Sequence, residues 1–207
     1  MDTSATQSYT PAGACRPWRR FDPITVGMHW ATAALVLALF VSAWTLKFAT
    51  SPDQANLLLT IHRSVGVATW GLAGCRLAWR LSLAYLPPFP HSMSKGQRWA
   101  AKTSEYCLYA ILLLQPLTGA AQSLARGRPF QLFAWEVPDL MSRDRAMAHW
   151  FGDVHEQTAW VLLGMIGLHV LAALFHRFVL KDEVLQSMLP WKPSVRKSMP
   201  KIGLPRE

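Results

Sequence analysis

Seven histidines occur in this chain, and five of them are candidate metal ligands in or beside long apolar stretches. These five are His29, His62, His155, His169 and His176. A neutral imidazole is a common metal ligand, and an ionisable side chain inside an apolar segment is a functional hypothesis by default. The other two are His91, in a proline-rich loop, and His149, at the very start of the last apolar stretch, and we predict that they are solvated or interfacial. The spacing of the five therefore indicates which chemistry the chain could carry.

Four apolar stretches must position these histidines, and each is long enough to cross a bilayer as a helix. They cover about residues 24–46, 57–81, 99–124 and 148–180. The chain is 51% hydrophobic and only 16% charged, whereas soluble domains carry roughly 25% charged residues. Its ten tryptophans suit membrane–water interfaces. We therefore predict an all-α fold, an integral membrane four-helix bundle surrounded by lipid.

The two ends of the chain are polar and basic. Residues 1–20 are predicted to be a flexible N-terminal tail, residues 21–191 the bundle, and residues 192–207 a basic C-terminal tail. Most of the 21 Lys and Arg residues fall on the side of the bundle that carries both termini. Because cytoplasmic loops are enriched in Lys and Arg, we predict cytoplasmic termini in a multi-pass protein of a bacterial inner membrane. The net charge of +9 is then explained by the orientation of the protein in the membrane, and no nucleic-acid partner is predicted.

The predicted helix directions place four of the histidines at two depths. His29 lies near the inner start of the first stretch, whereas His62 and His155 lie near the outer starts of the second and fourth. His169 follows His155 by 14 residues, which is about 21 Å along a helix and nearly the same face. We therefore expect two pairs, His62 with His155 near the outside and His29 with His169 near the inside.

Two imidazoles that approach from opposite sides suit a haem iron. Such ligation leaves no open position on the iron and favours electron transfer. A single zinc site is disfavoured because the pairs lie too far apart to share one metal, and covalent attachment is excluded because no Cys-x-x-Cys-His occurs. We predict two b-type haems. His176 shares the helix face of His169 and stays an alternative inner ligand, although Arg177 and Lys181 favour an interfacial position for it.

Short motifs carry a resemblance to a known family. They are MHW at 28–30, IHRSVG at 61–66, LYAILLLQPLTG at 108–119, and the His-x13-His segment that leads to KDEVLQSMLP at 181–190. Together they resemble the prokaryotic cytochrome b561 family, whose wider relatives include the cytochrome b subunits of nickel–iron hydrogenases. The resemblance covers about residues 21–191 and implies four membrane helices, two non-covalent b haems, and ligands at His29, His62, His155 and His169. Many members have a histidine early in the third helix, where this chain has Lys102 and Glu105.

Several charged residues could serve such cofactors. Arg63, Arg76 and Arg80 could pair with haem propionates, or could be ordinary basic residues at helix ends.

Glu105 could neutralise Lys102 or Arg98, which we favour, or pass protons to a quinone. The outer loop is basic and could attract a small anion, or be a solvated loop of mixed charge, which we favour. Its arginines are Arg126, Arg128, Arg143 and Arg145, with Glu136, Asp139 and Asp144 between them.

The resemblance implies electron transfer between a donor and membrane quinone, and some members oxidise superoxide at the outer face and reduce ubiquinone. We therefore predict an oxidoreductase of this kind, with superoxide as the small anionic donor and ubiquinone as the acceptor. The alternative is a cytochrome b anchor subunit that links a soluble dehydrogenase or hydrogenase partner to quinone. A transporter without haem fits poorly, because neither inverted repeats nor broken helices are evident.

Overall fold

Four long helices dominate the computed structural model, which describes residues 20–89 and 93–190. They are α1 (Pro23–Leu46), α2 (Pro52–Ser82), α3 (Lys95–Ala125) and α4 (Arg145–Phe175). A π-helical turn, His176–Leu180, continues α4, and a short helix α5 (Val184–Ser187) follows. The four predicted helices are therefore present, although α2, α3 and α4 begin three to five residues earlier than their apolar stretches do. Apart from Arg20, the predicted tails lie outside the described residues.

Each long helix begins at a polar side chain that caps its first turn. The capping residues are Asp22, Ser51, Ser94 and Asp144, and each accepts a hydrogen bond from the backbone amide three residues further on. Such caps satisfy amides that have no partner within the helix. Burial would raise the pKa of the Asp22 carboxyl, but hydrogen bonds from the Thr25 hydroxyl and amide hold that pKa below its usual range.

Three of the helical segments are long and apolar enough to cross a membrane. They are α1, α3, and α4 together with its π-helical turn. Large apolar side chains on these segments stay exposed, as at Leu37 (65%) and Leu171 (64%), and a surface of this kind belongs in lipid. The helix α2 is as long as α3 but is not among the three spans, and it carries three arginines. A fourth span and the location of the termini stay predictions.

The helices pack in two pairs, α1 along α2 and α3 along α4, and α2 with α3 joins the pairs. In the described part of the chain, α4 does not pack closely on either α1 or α2. His29 and His169 face each other across the gap between α1 and α4, and His62 and His155 face each other across the gap between α2 and α4. The arrangement therefore leaves the facing sides of α1, α2 and α4 to the predicted ligands.

The connection between α3 and α4 contains a β-hairpin that was not predicted from the sequence. Strand β1 (Phe130–Leu132) pairs antiparallel with β2 (Trp135–Val137), with Phe130 opposite Val137. The hairpin lies against α2, where the Phe133 amide donates to the Ser64 hydroxyl at 2.6 Å. The prediction of an all-α fold therefore holds for the long elements but not for this connection.

Candidate functional site

The four predicted ligands form two pairs of facing rings. The ring centroids of His62 and His155 are 6.2 Å apart, and those of His29 and His169 are 6.3 Å apart. Two imidazoles on opposite sides of one metal, each bonded at about 2.0 Å with its centroid about 1.1 Å further, would have centroids about 6.2 Å apart. Both separations therefore leave room for one metal centre between the two rings.

Hydrogen bonds define which nitrogen of His62 is available. Its Nδ1 lies 2.9 Å from the hydroxyl of Ser42, and that hydroxyl donates to the carbonyl of Leu39. The hydroxyl must therefore accept from His62, so the ring carries its proton on Nδ1 and leaves the Nε2 lone pair free. Partners of this kind hold metal-binding histidines in one orientation.

His155 has the same arrangement, with partners on α3. Its Nδ1 lies 3.1 Å from the carbonyl of Gln115 and 3.0 Å from the hydroxyl of Thr118. The Thr118 hydroxyl already donates to the Gln115 carbonyl at 2.7 Å. Both oxygens therefore accept from the ring, and His155 also presents a free Nε2.

The inner pair has a different neighbour, a guanidinium. Arg76 lies 3.1 Å from His29 Nδ1 and over the ring of Tyr109, while its own Nε is buried without a hydrogen-bond partner. Because a guanidinium only donates, His29 accepts here and carries its proton on Nε2. A neutral ring that binds metal through Nε2 carries its proton on Nδ1, so it can no longer accept a hydrogen bond from Arg76. Arg76 must therefore turn away when the ring binds metal. A carboxylate on the cofactor would satisfy the unpaired Nε–H.

The other two predicted arginines already have protein partners. Arg63 donates to the Ser123 hydroxyl at 3.2 Å and lies over the ring of Phe130. Arg80 forms an ion pair of 2.6 Å with Glu105, which is neither of the bases that the sequence suggested for this acid. Among the three, Arg76 is the arginine with an unpartnered buried nitrogen.

His176, the alternative inner ligand, lies within the π-helical turn. Its Nδ1 is 2.5 Å from the carboxylate of Asp182, and both side chains are largely buried. The ring that faces His29 is that of His169. His149 lines the outer cleft described next, and His91 lies outside the described residues.

The basic residues of the outer loop gather around one cleft of about 570 Å³. Arg126, Arg128, Arg143 and Arg145 all line it. Asp144, Asp153 and Glu156 line it too, and Glu156 directly follows His155 in the chain. Neither His62 nor His155 lines the cleft itself. Its mixed charge is compatible with both predictions, an entrance for small anions and a solvated loop.

Sequence reasoning missed the residues that hold the outer pair in place. Ser42, Gln115 and Thr118 contact the ring nitrogens, and Gly119 lies against His155 so closely that an added Cβ would be 3.0 Å from the ring. The signal in the sequence is the QPLTG segment at 115–119, which is part of the LYAILLLQPLTG motif of the family resemblance.

Within the described ranges, no group of three or more His, Cys, Asp or Glu side chains could hold a metal ion. The histidine pairs supply two ligands each, so the remaining ligands of any metal must come from a cofactor. A porphyrin, with four nitrogens in one plane, meets this requirement between two facing imidazoles. The residues present therefore fit the predicted group.

Long apolar helices around facing pairs of histidines point to the class of membrane cytochromes with non-covalent haem. The chain belongs to the family described as prokaryotic cytochrome b561, which matches residues 20–191. It is thus a b-type cytochrome of a bacterial membrane, an electron-transport protein that binds haem.

Three curated relatives match most of the chain. It is 28% identical over 172 residues to cytochrome b561 homolog 2 of Escherichia coli (strain K12), covering 82% of this chain and 91% of that one. It is 29% identical over 176 residues to a protein of Yersinia pestis named "Probable superoxide oxidase CybB", covering 84% and 98%. Cytochrome b561 homolog 1 of Escherichia coli (strain K12) is 27% identical over 176 residues, covering 83% and 97%.

Proposed function

We propose that the protein binds two b-type haems, one between His62 and His155 and one between His29 and His169. The observation that carries this proposal is the facing of both ring pairs at 6.2 and 6.3 Å. Haem iron with two imidazole ligands supplies one-electron transfer and keeps no coordination position open. All four long helices span the inner membrane in this proposal, with both termini in the cytoplasm.

The electrons come from a small donor on the outer side, with superoxide as the preferred donor, and pass to ubiquinone. A relative whose name is probable superoxide oxidase supports the choice of donor. The outer cleft supports it too, because four arginines line the cleft and superoxide is an anion. The acceptor rests on the family resemblance.

The hydrogen bonds of the two pairs differ in the way that electron flow from the outer haem to the inner haem requires. The outer rings donate Nδ1–H to neutral oxygens of Ser42, Gln115 and Thr118, and such bonds make an imidazole a stronger electron donor. Among the described residues, the inner rings have no neutral acceptor of this kind, and the group beside His29 Nδ1 is the guanidinium of Arg76. The stronger donation by the outer rings favours a lower reduction potential on the outer side than on the inner side.

The arginines have separate roles in this proposal. Arg76 pairs with a haem propionate once it leaves His29, which also frees Nδ1 of that ring to take a proton. Arg63 lies beside His62 and can offer its remaining N–H groups to a propionate of the outer haem. Arg80 holds Glu105 through one Nη atom and can offer its remaining N–H groups to a propionate.

An absorption spectrum with a haem count tests the ligand assignment. We expect two haems per chain in the wild type. His62→Ala and His155→Ala should each remove the same spectral component, while His29→Ala and His169→Ala should each remove the other. His176→Ala is the matched control and should keep both. Loss of a haem in His176→Ala with both haems kept in His169→Ala would show that the inner ligand is misassigned.

A second experiment tests the donor and the acceptor with the purified protein. Superoxide generated in solution should reduce the haem bands, and ubiquinone should restore the oxidised spectrum. Failure of reoxidation by quinone would contradict the proposed acceptor. Stable co-purification of a soluble dehydrogenase or hydrogenase, with no reduction by superoxide, would favour the anchor-subunit alternative.

A further inference from the structure

We propose that residues 115–119 of α3 position the outer ligand His155, although α3 itself supplies none of the four histidines. The inference rests on the proposed function, because it assigns residues that orient one histidine ligand of the outer haem. Three features support it: two acceptors at the edge of the ring, a glycine against the ring, and a glutamine side chain bound to the backbone of α4.

The edge of the ring is held by two oxygens. The Gln115 carbonyl and the Thr118 hydroxyl lie 3.1 and 3.0 Å from His155 Nδ1. Because the Thr118 proton is used on the Gln115 carbonyl, neither oxygen can donate to the ring. The two acceptors therefore fix both the tautomer and the rotation of the imidazole, and they direct the Nε2 lone pair towards His62.

The ring is held close to the backbone of α3 at Gly119. A Cβ at this position would lie 3.0 Å from His155 Cε1 and 3.2 Å from Nδ1, closer than side chains normally approach. The ring has little freedom to retreat, because its opposite edge must stay in line with His62 and its Nδ1 is bound. Glycine is therefore required here for close approach rather than for an unusual backbone angle.

The backbone of α4 is tied to the same segment through the Gln115 side chain. Its Nε2 donates to the His155 carbonyl at 2.7 Å, and its Oε1 accepts from the Thr158 hydroxyl. One side chain thus sets the height and rotation of the turn that carries the ligand. Among the described residues, the His169 ring has no hydrogen bond of this kind, so this positioning by α3 concerns the outer pair.

Substitution of Thr118 tests the role of the acceptor. In Thr118→Val the ring loses one of its two acceptors and becomes a weaker electron donor, so the reduction potential of one haem should rise while the other stays unchanged. Thr118→Ser should restore the wild-type value. The matched control is Thr60→Val, because the Thr60 hydroxyl donates only to the Asn56 carbonyl of its own helix. The measurement is a potentiometric titration of both haems in the full-length protein.

Substitution of Gly119 tests the close approach. Gly119→Ala should lower the haem content from two per chain towards one, whereas Gly164→Ala, with open space at its Cβ, should keep two. The inference is overturned if Thr118→Val leaves both potentials at the wild-type values, or shifts both equally. Two haems at wild-type potentials in Gly119→Ala would also overturn it. Absence of haem from the wild type would instead refute the proposed function, and this inference with it.

Discussion

Replacing Glu105 by glutamine should destabilise the protein through Arg80 rather than remove a proton carrier. The two side chains form an ion pair of 2.6 Å, and 18% of Arg80 and 30% of Glu105 stay exposed. Exposed pairs contribute about 0–1 kcal/mol, whereas breaking a buried pair costs about 3–5 kcal/mol. This partly exposed pair lies between the two cases. We therefore expect Glu105→Gln to lower the free energy of unfolding by about 1–3 kcal/mol.

A double-mutant cycle separates the pair from other effects of the substitution. If the cost arises from an unpaired charge, Arg80→Gln combined with Glu105→Gln should cost less than the sum of the two single changes. Lys102→Gln is the control, because Lys102 carries a neighbouring charge and lies over the Phe89 ring, whereas the ion pair of Glu105 is with Arg80. Thermal unfolding in detergent, followed by haem absorbance and by tryptophan fluorescence, measures each difference.

The same variants distinguish the structural role of Glu105 from a proton role. Under the structural role, ubiquinone reduction by Glu105→Gln should keep the pH dependence of the wild type at temperatures where the variant is folded. A variant with unchanged stability whose quinone reduction collapses would refute the reasoning, and it would assign the proton path to Glu105.

Three further predictions concern local structure. Gly127→Ala should lower the free energy of unfolding by at least about 1–2 kcal/mol. The reason is that Gly127 has φ +57° and an added Cβ would lie 2.4 Å from the backbone nitrogen of Arg143. Gly164→Ala, compared in the same thermal melts, should leave the stability unchanged. Ser64→Ala should weaken the hairpin by about 1 kcal/mol, seen as faster hydrogen exchange at the Phe133 amide. Because the pKa of Asp22 is lowered, its contribution is present above the usual carboxyl range and is lost as the pH falls through the folded-state value. Asp22→Asn should keep the cap and show a smaller loss of stability in acid melts.

The two histidine pairs could be predicted because helix geometry alone sets them. The rise per residue and the angle per residue place His155 and His169 on one face at two depths, and alternating helix directions then select His62 and His29 as partners. The structure has the same four rings facing in the same two pairs. The helix starts were missed by a few residues, because capping side chains and the first polar turn lie outside an apolar run.

The residues that support the pairs could not be predicted, because their contacts depend on tertiary packing. Ser42 meets His62 only because α1 packs along α2, and the partner of Arg80 is decided by the rotation of α2 against α3. The hairpin was missed because its strands are only three residues long, so the apolar–polar–apolar alternation of FQL and WEV is too short to indicate a strand. Periodicity detects which face is buried, but not which polar group that face meets.

The proposed ligand assignment divides the four histidines among helices in a way that follows from helix geometry. A helix that supplies one ligand to each of two sites must carry them about four turns apart on one face, and His155 and His169 of α4 meet this requirement. That face must stay open towards α1 and α2, so α4 can be held in place only from its other side. The helix α3 packs there, and Gln115 fixes both the backbone and the ring of the outer turn. A helix without ligands is therefore needed to give the ligand helix its rotation, and a change at its surface should alter the site as directly as a change next to a ligand.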